Sequence, residues 1–206
     1  MNINIKTFNE WAIDNKDLNM QKGHESSVGR MFDLVESETN IFNREFSFLD
    51  IGCGNGWVVQ KISMLENCKL AEGVDGSVEM IKKAIEKDSK NNYYIEDIEL
   101  WTPDKKYDII FSMETFYYFK NPEKIIRKFK DYINDGGVLI IGVDHYKENT
   151  PSLSWEKDYS IKTKTLSILE WKDCFYNSFL SDVKVLHHGH KEDWLGTLIL
   201  LGNKKT

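Results

Sequence analysis

Phe48-Leu49-Asp50-Ile51-Gly52-Cys53-Gly54-Asn55-Gly56 runs from an apolar stretch through an aspartate into three glycines at alternate positions. The apolar part reads as a strand, Phe46 to Ile51, and the pattern after it as a helix from about Gly56 to Leu65. Glycine reaches positive φ at little cost and lets a ligand approach the backbone, while a helix start presents N–H groups without partners. Such a turn cradles a carboxylate or a phosphate. A dinucleotide-binding turn asks for a third glycine where this chain has Trp57, and an indole there opposes close helix-to-strand packing. Asp50, a carboxylate at a buried strand end, calls for a donor-rich partner such as an α-amino group. The plainer reading is a glycine turn that serves chain reversal alone.

Outward from this turn, apolar runs alternate with amphipathic stretches. Strands are expected at Lys69–Val74, Asn92–Glu96, Tyr107–Ser112 and Val138–Val143. Helices are expected from the Ser77 cap to about Lys90, and from Pro122 to about Ile133, where Asp135-Gly136-Gly137 turns the chain. Tyr146–Leu166 reads as an irregular insertion, Leu169–Phe179 as a helix, and Asp182–Leu186 with Thr197–Leu201 as a terminal strand pair. The resulting division of one domain, 1–206, is a helical cap or lid at 1–45, a βα core at 46–143, an insertion at 144–168 and a closing helix and strand pair at 169–206. Asp75 falls at the end of the second strand, where an acid accepts hydrogen bonds from ribose hydroxyls. Asp97, beside Ile98, ends the third and suits an exocyclic amine with a ring face against the isoleucine.

The composition bounds the rest. With 206 residues, 41% of them hydrophobic and 29% charged, the chain is long enough for one continuous core. Its net charge of −6 and scattered lysines disfavour nucleic acid as a partner. No apolar run has membrane length, and Met1–Asp14 resembles neither a secretory nor a transit leader, so a cytoplasmic protein with no membrane partner is expected. Cys53, Cys68 and Cys174 share no metal-ligand spacing and read as reduced thiols. His187, His188 and His190 alternate across a strand, so no metal is expected.

From Phe46 to Gly142 these motifs, in this order, resemble the class I S-adenosylmethionine-dependent methyltransferase family in its small-molecule form. The resemblance implies a three-layer Rossmann-like α/β sandwich whose mostly parallel seven-stranded sheet carries an antiparallel terminal strand. It implies S-adenosyl-L-methionine as cofactor and S-adenosyl-L-homocysteine as product. Carried over, Gly52, Gly54 and Gly56 hold the methionine part, Asp75 the ribose and Asp97 the adenine. Asp50, Asn55, Gly76, Ile98 and Met113 complete the expected cofactor set. Ser112-Met113-Glu114-Thr115-Phe116-Tyr117-Tyr118 lacks the Asn/Asp-Pro-Pro-Tyr turn of base- and glutamine-methylating relatives, which favours a small-molecule acceptor.

A hydroxyl or ammonium acceptor needs a base near the ends of the fourth and fifth strands or on a lid. His145, Tyr117 and His24 are the catalytic candidates, with Glu114 and Tyr146 at neighbouring positions. Tyr117, Tyr118 and Trp155 suggest an aromatic wall or a cation–π site, with ordinary packing as the plain alternative. Trp11, His24, Trp155 and Tyr159 lie in segments that the βα core does not need, so the N-terminal segment and the insertion are expected to close over the acceptor. Gly23–Met31 is then expected to gain protection when ligand binds. The expected activity is methyl transfer to nitrogen or oxygen of a small molecule by a monomer or homodimer. A nicotinamide-dependent oxidoreductase and a non-catalytic S-adenosylmethionine-binding adaptor or sensor are the alternatives.

Overall fold

A computed structural model describes residues 2–205. Two helices lead, α1 (Ile3–Ile13) and α2 (Lys16–Glu38), joined at Asn15 in the left-handed region, φ 57°. There follow β1 (Phe46–Ile51), α3 (Trp57–Ser63), β2 (Cys68–Asp75), α4 (Val78–Lys87), β3 (Asn92–Ile95) and β4 (Tyr107–Met113). The second half comprises α5 (Pro122–Lys130), β5 (Ile133–Val143), α6 (Trp155–Tyr159), α7 (Ile168–Asn177), β6 (Ser181–His188) and β7 (Thr197–Asn203). The strands form one seven-stranded sheet in the order β3-β2-β1-β4-β5-β7-β6, with β7 antiparallel to both neighbours and the first five parallel. This is the Rossmann-like sandwich that the sequence led us to expect. No described helix is long and apolar enough to cross a membrane.

Alternation along the strands decides the layers. Phe48, Ile109, Phe111, Val138, Ile140 and Ile199 face one side, where Val28 and Met31 of α2 and Val59 and Ile62 of α3 cover them. Leu49, Ile51, Ile110, Leu139, Ile141 and Leu200 face the other, under Ile126 and Phe129 of α5 and Trp171 and Phe175 of α7. Local signals set the helix starts. The Ser77 hydroxyl accepts from Met80 N–H, Asn121 caps α5 with Pro122 in its first turn, and Ser167 with Glu170 makes a capping box on α7.

One expected boundary fails. Asp135-Gly136-Gly137 does not separate helix from strand; α5 stops at Lys130 and β5 already begins at Ile133. Pairing with β4 slips between Tyr107↔Ile133 and Ile109↔Val138, so the glycines form a bulge inside the strand, Gly136 at φ 75°. Buried Ile133 and two backbone bonds to the C-terminal tail, Gly136 N–H to Lys204 O and Lys204 N–H to Gly137 O, hold it there.

Under the β2–β4 side of the sheet, the fully buried Glu72 carboxylate accepts from Tyr107 Oη (2.6 Å), Asn92 Nδ2 (2.8 Å), Tyr94 Oη (2.9 Å) and Lys105 Nζ (3.2 Å). Burial works to raise its pKa, but these four donors outweigh burial and hold it below the ordinary value. A carboxyl depressed in the folded state contributes stability above its unfolded pKa and loses it as pH falls. Glu72→Ala is therefore expected to lower unfolding free energy by about 3 kcal/mol at about pH 7. In urea titrations the gap to wild type should narrow toward about pH 3.5; a gap that widens with acid would contradict the assignment.

Candidate functional site

The strand order reverses between β1 and β4, and there the chain leaves β1 for α3 on one face and β4 for α5 on the other. A crevice opens outside the carboxyl ends of the two strands, as it must at such a switch point. The turn after β1 forms its floor, with Gly52, Gly54 and Gly56 at φ 75°, 52° and 76°. Each glycine has its own reason. A Cβ on Gly52 would stand 2.0 Å from Thr115 Oγ1, one on Gly56 2.7 Å from Ala84 and the Tyr93 ring, whereas one on Gly54 meets nothing closer than Met80 Sδ at 4.0 Å. Gly54 thus lies against open space, and that space is the cavity lined by Asp50, Gly52, Gly54, Asp75, Asp97 and Met113.

Acidic groups converge on this cavity. Asp75 accepts from Gly54 N–H (3.0 Å) and Ser77 N–H (2.7 Å), so it braces the glycine turn as well as facing the cavity. Burial outweighs those two donors and raises its pKa. Asp50, 2% exposed, is pushed well above the usual carboxylate range by burial and then by Asp75. Asn55 is tied to the N-terminal helices, its Nδ2 donating to Asp17 (2.8 Å), which also receives Lys83 Nζ (2.6 Å). Burial raises Asp17, but Lys83 and Asn55 prevail and lower it.

A second cavity adjoins the first, and Met20, His24, Glu114 and Tyr118 line both. Trp11, Tyr117, Trp155 and Tyr159 form much of its remaining wall. Glu114 follows β4 with φ 60°, a left-handed backbone that non-glycine residues seldom adopt. Its Oε2 accepts from Tyr117 Oη (2.6 Å) and its Oε1 from Asp144 N–H (2.5 Å). Burial, reinforced by Asp144, pushes Glu114 well above the usual range, and burial likewise raises Asp144. His24 Nε2 stands 3.8 Å from Asp144 Oδ2, and its pKa is lowered by burial against the pull of Asp144. Although no metal was expected, His24, Glu114 and Asp144 bring potential ligand atoms within 4.8 Å of one another.

Of the residues singled out in the sequence, Asp50, Gly52, Gly54, Asn55, Asp75, Gly76, Asp97, Ile98 and Met113 all line the first cavity. Gly56 does not; it caps α3 and lets α3 pack against α4 and β3. His24 and Tyr117 stand at the second cavity. His145, expected at the rim, is buried away from both cavities. Its Nδ1 bonds Ser152 O (3.0 Å), its Nε2 bonds Thr165 Oγ1 (2.8 Å), and burial lowers its pKa, so it ties β5 to the insertion. Tyr146 is also buried, donating to Gly196 O (2.9 Å). Asp144 escaped the sequence reading, although it follows Val143 at a strand end as Asp75 follows Val74.

Residues 22–177 match a family model described as a methyltransferase domain. Malonyl-[acyl-carrier protein] O-methyltransferase 2 of Ilyobacter polytropus is 31% identical over 165 residues, covering 75% of this chain and 58% of that protein. A tRNA U34 carboxymethyltransferase of Actinobacillus succinogenes is 26% identical over 170 residues, covering 74% and 53%. The chain spans about half the length of the curated relatives it matches. Among solved structures, one from the Haloferax volcanii complex with the Trm112 methyltransferase activator superposes with TM-score 0.82 at 22% identity, covering 97% of this chain and 98% of that one.

The glycine geometry separates two substitutions. Both Gly52→Ala and Gly54→Ala place a side chain at positive φ, a penalty of about 1–2 kcal/mol, but only at Gly52 does the new methyl collide with Thr115. Urea unfolding should show Gly52→Ala less stable than Gly54→Ala by about 1–3 kcal/mol, and Thr115→Ala should restore part of the difference. Equal losses would remove the packing reason for Gly52.

Proposed function

The chain belongs to the class I S-adenosylmethionine-dependent methyltransferase family, and from that premise we propose that it transfers a methyl group from S-adenosylmethionine to nitrogen or oxygen of a small-molecule acceptor. Membership removes the nicotinamide oxidoreductase alternative. The observation that carries the proposal is the meeting of two cavities at Met20, His24, Glu114 and Tyr118, one floored by the glycine turn and one walled by aromatic rings. When bound, the cofactor supplies an electrophilic methyl group on a sulfonium. The turn fits it: Gly54 leaves room for a close approach, and Asp50 is a buried carboxylate in want of a donor such as an α-ammonium group. Asp75 would take the ribose hydroxyls, and Asp97 with Ile98 the adenine.

Displacement at a sulfonium asks the protein chiefly for alignment and exclusion of water. Glu114 is the group best placed to take a proton from the acceptor, with Tyr117 orienting its carboxylate and His24 lining the same cavity. A net charge of −6 argues against a tRNA acceptor, even though the names of two relatives carry tRNA. A cytoplasmic location and a monomer or homodimer complete the proposal.

The N-terminal segment and the insertion would exclude the water. Asn4 Nδ2 donates to Lys162 O (2.9 Å), and Lys162 N–H donates to Asn4 Oδ1 (2.7 Å), so α1 and the insertion meet over the cavities. Val28 and Met31 lie fully buried against the sheet, which makes Gly23–Met31 a poor lid and shifts the ligand-dependent segment to Ile3–Ile13. Hydrogen exchange with and without S-adenosylhomocysteine should show added protection in Ile3–Ile13. Equal protection there in both states would make α1 a fixed wall.

Calorimetry should give S-adenosylhomocysteine micromolar affinity. Asp75→Ala should weaken it by about 1.5–3 kcal/mol, and Gly54→Val should abolish binding because its branched side chain fills the cavity side of the turn. Unchanged affinity in a folded Gly54→Val protein would dismiss the cradle. Labelled S-adenosylmethionine over metabolite extracts tests turnover, and binding with no transfer would favour the adaptor or sensor.

A further inference from the structure

We propose that the acceptor is a cationic amine, seated in the second cavity with its ammonium group against Glu114, which has Asp144 beside it outside the cavity lining, and its body against the aromatic wall. The proposal rests on the methyl-transfer reading above and names the acceptor class for it.

Four observations point to a cation. First, half-buried Glu114 and buried Asp144 are neighbouring acids, and among the described residues no lysine or arginine pairs with either. The basic group closest to them is His24, which burial keeps toward its neutral form. Second, Asp144 lines neither cavity, but its buried Oδ1 lacks a hydrogen-bond partner and its carboxylate stands beside Glu114, so it adds negative charge next to the acid that does line the cavity. An orphaned carboxylate oxygen is costly unless something supplies a donor. Third, the wall consists of Trp11, Tyr117, Tyr118, Trp155 and Tyr159. Their rings pack on one another: Tyr117 on Tyr118 at 4.4 Å, Trp155 on Tyr159 at 6.2 Å and Trp11 on Tyr159 at 5.7 Å. Aromatic faces beside carboxylates attract alkylammonium groups and offer nothing to an anion. Fourth, the lysine that lines this cavity, Lys16, stands at its rim, 56% exposed and paired with Asp14 at 3.2 Å. A carboxylate acceptor would meet Glu114, with Asp144 beside it, and no available cation.

A divalent metal would also satisfy the acids, but the surroundings fit it less well. Both Glu114 oxygens already accept from protein donors, Tyr117 Oη and Asp144 N–H, which leaves few lone pairs for coordination. Hard divalent ions want several oxygens or waters around them, and here rings occupy much of that space. An ammonium group needs one acceptor per N–H and tolerates ring faces for the rest.

The same placement prepares the nucleophile. An ammonium nitrogen has no lone pair to donate. Breaking one N–H bond and forming one O–H bond on Glu114 gives a neutral amine and a neutral carboxyl, with the electron pair left on nitrogen. A carboxyl that burial already inclines toward protonation is suited to accept that proton. The backbone strain at Glu114, φ 60°, is then spent on aiming this carboxyl at the junction of the two cavities.

Protein saturated with S-adenosylhomocysteine is titrated with phenethylamine, with its anionic counterpart hydrocinnamate and with neutral phenethyl alcohol, following heat and the fluorescence of Trp11 and Trp155. Phenethylamine should bind at least about tenfold more tightly than either counterpart, Glu114→Gln should erase about that factor, and Asp144→Asn, which removes a charge beside Glu114, should erase a smaller part of it. Asp144 lies outside the lining of the cofactor cavity, so S-adenosylhomocysteine affinity in Asp144→Asn should stay close to wild type and report that the protein is folded. Amine binding no tighter than hydrocinnamate, or unaffected by both substitutions, overturns the proposal. So does saturable one-to-one binding of manganese or zinc that disappears in His24→Ala, which would make the trio a metal site. If wild type fails to bind S-adenosylhomocysteine, the methyl-transfer reading falls and this one with it; if it binds that but no amine, only this one falls.

Discussion

Neighbouring strands β1 and β4 send the chain to opposite faces of the sheet, and everything at the site follows from that divergence. Two turns must separate immediately above the strand ends, yet still pack on each other closely enough to keep the core beneath them dry. Gly52 meets that constraint by lying where any side chain would strike Thr115. The Gly54 N–H then has no strand to pair with, and Asp75, at the end of the next strand over, takes it. A single carboxylate thereby fixes the turn from the β2 side. The turn, the crevice and the acid at its edge form one unit, so none of the three can be altered alone.

The site is electrostatically expensive. Asp50, Asp75, Glu114 and Asp144 are all raised by burial. Buried acids that stay short of cations burden the fold unless something outside the chain offsets them, and this is how binding sites differ from structural ion pairs. Glu72 provides the contrast within the same sheet. It is equally buried, but four donors surround it and its pKa falls. The chain can hold a buried carboxylate ionised with four donors when stability alone is at stake; at the crevice Asp75 and Glu114 have two donors each, and burial prevails.

Much of this was legible in the residues. The Asp50–Gly56 stretch, the period-two strands and the serine and asparagine caps each rest on short-range physics, and they placed β1, β2, β4, α4 and α5 to within a few residues at most ends. What failed depended on contacts distant in sequence. The bulge at Gly136 is held by the C-terminal tail near Lys204. His145 is held inward by Thr165, and no local pattern distinguishes a buried loop histidine from an exposed one. Asp144 did carry a signal, an acid directly after an apolar strand, the same one that marked Asp75.

The two N-terminal helices are attached to the same neighbourhood in unlike ways. The buried residues of α2 include Val28, Met31, Leu34 and Val35, so lifting it would return a large apolar area to water at roughly 25 cal/mol per Å². The buried residues of α1 are Asn4, Thr7 and Ala12, and its ties to the insertion are hydrogen bonds, Asn4 with Lys162 and Thr7 with Ser160. Water replaces hydrogen bonds at small net cost, whereas it cannot replace apolar burial. The character of the attachment therefore changes at Asn15, from apolar burial along α2 to hydrogen bonds along α1, which also include Ser77 Oγ and Glu79 N–H donating to Asn9 Oδ1. Asn4, Ile5 and Phe8 of α1 line the cofactor cavity, while Trp11 lines the second. One short helix thus contributes to the walls of both cavities, so its placement shapes the two sites together.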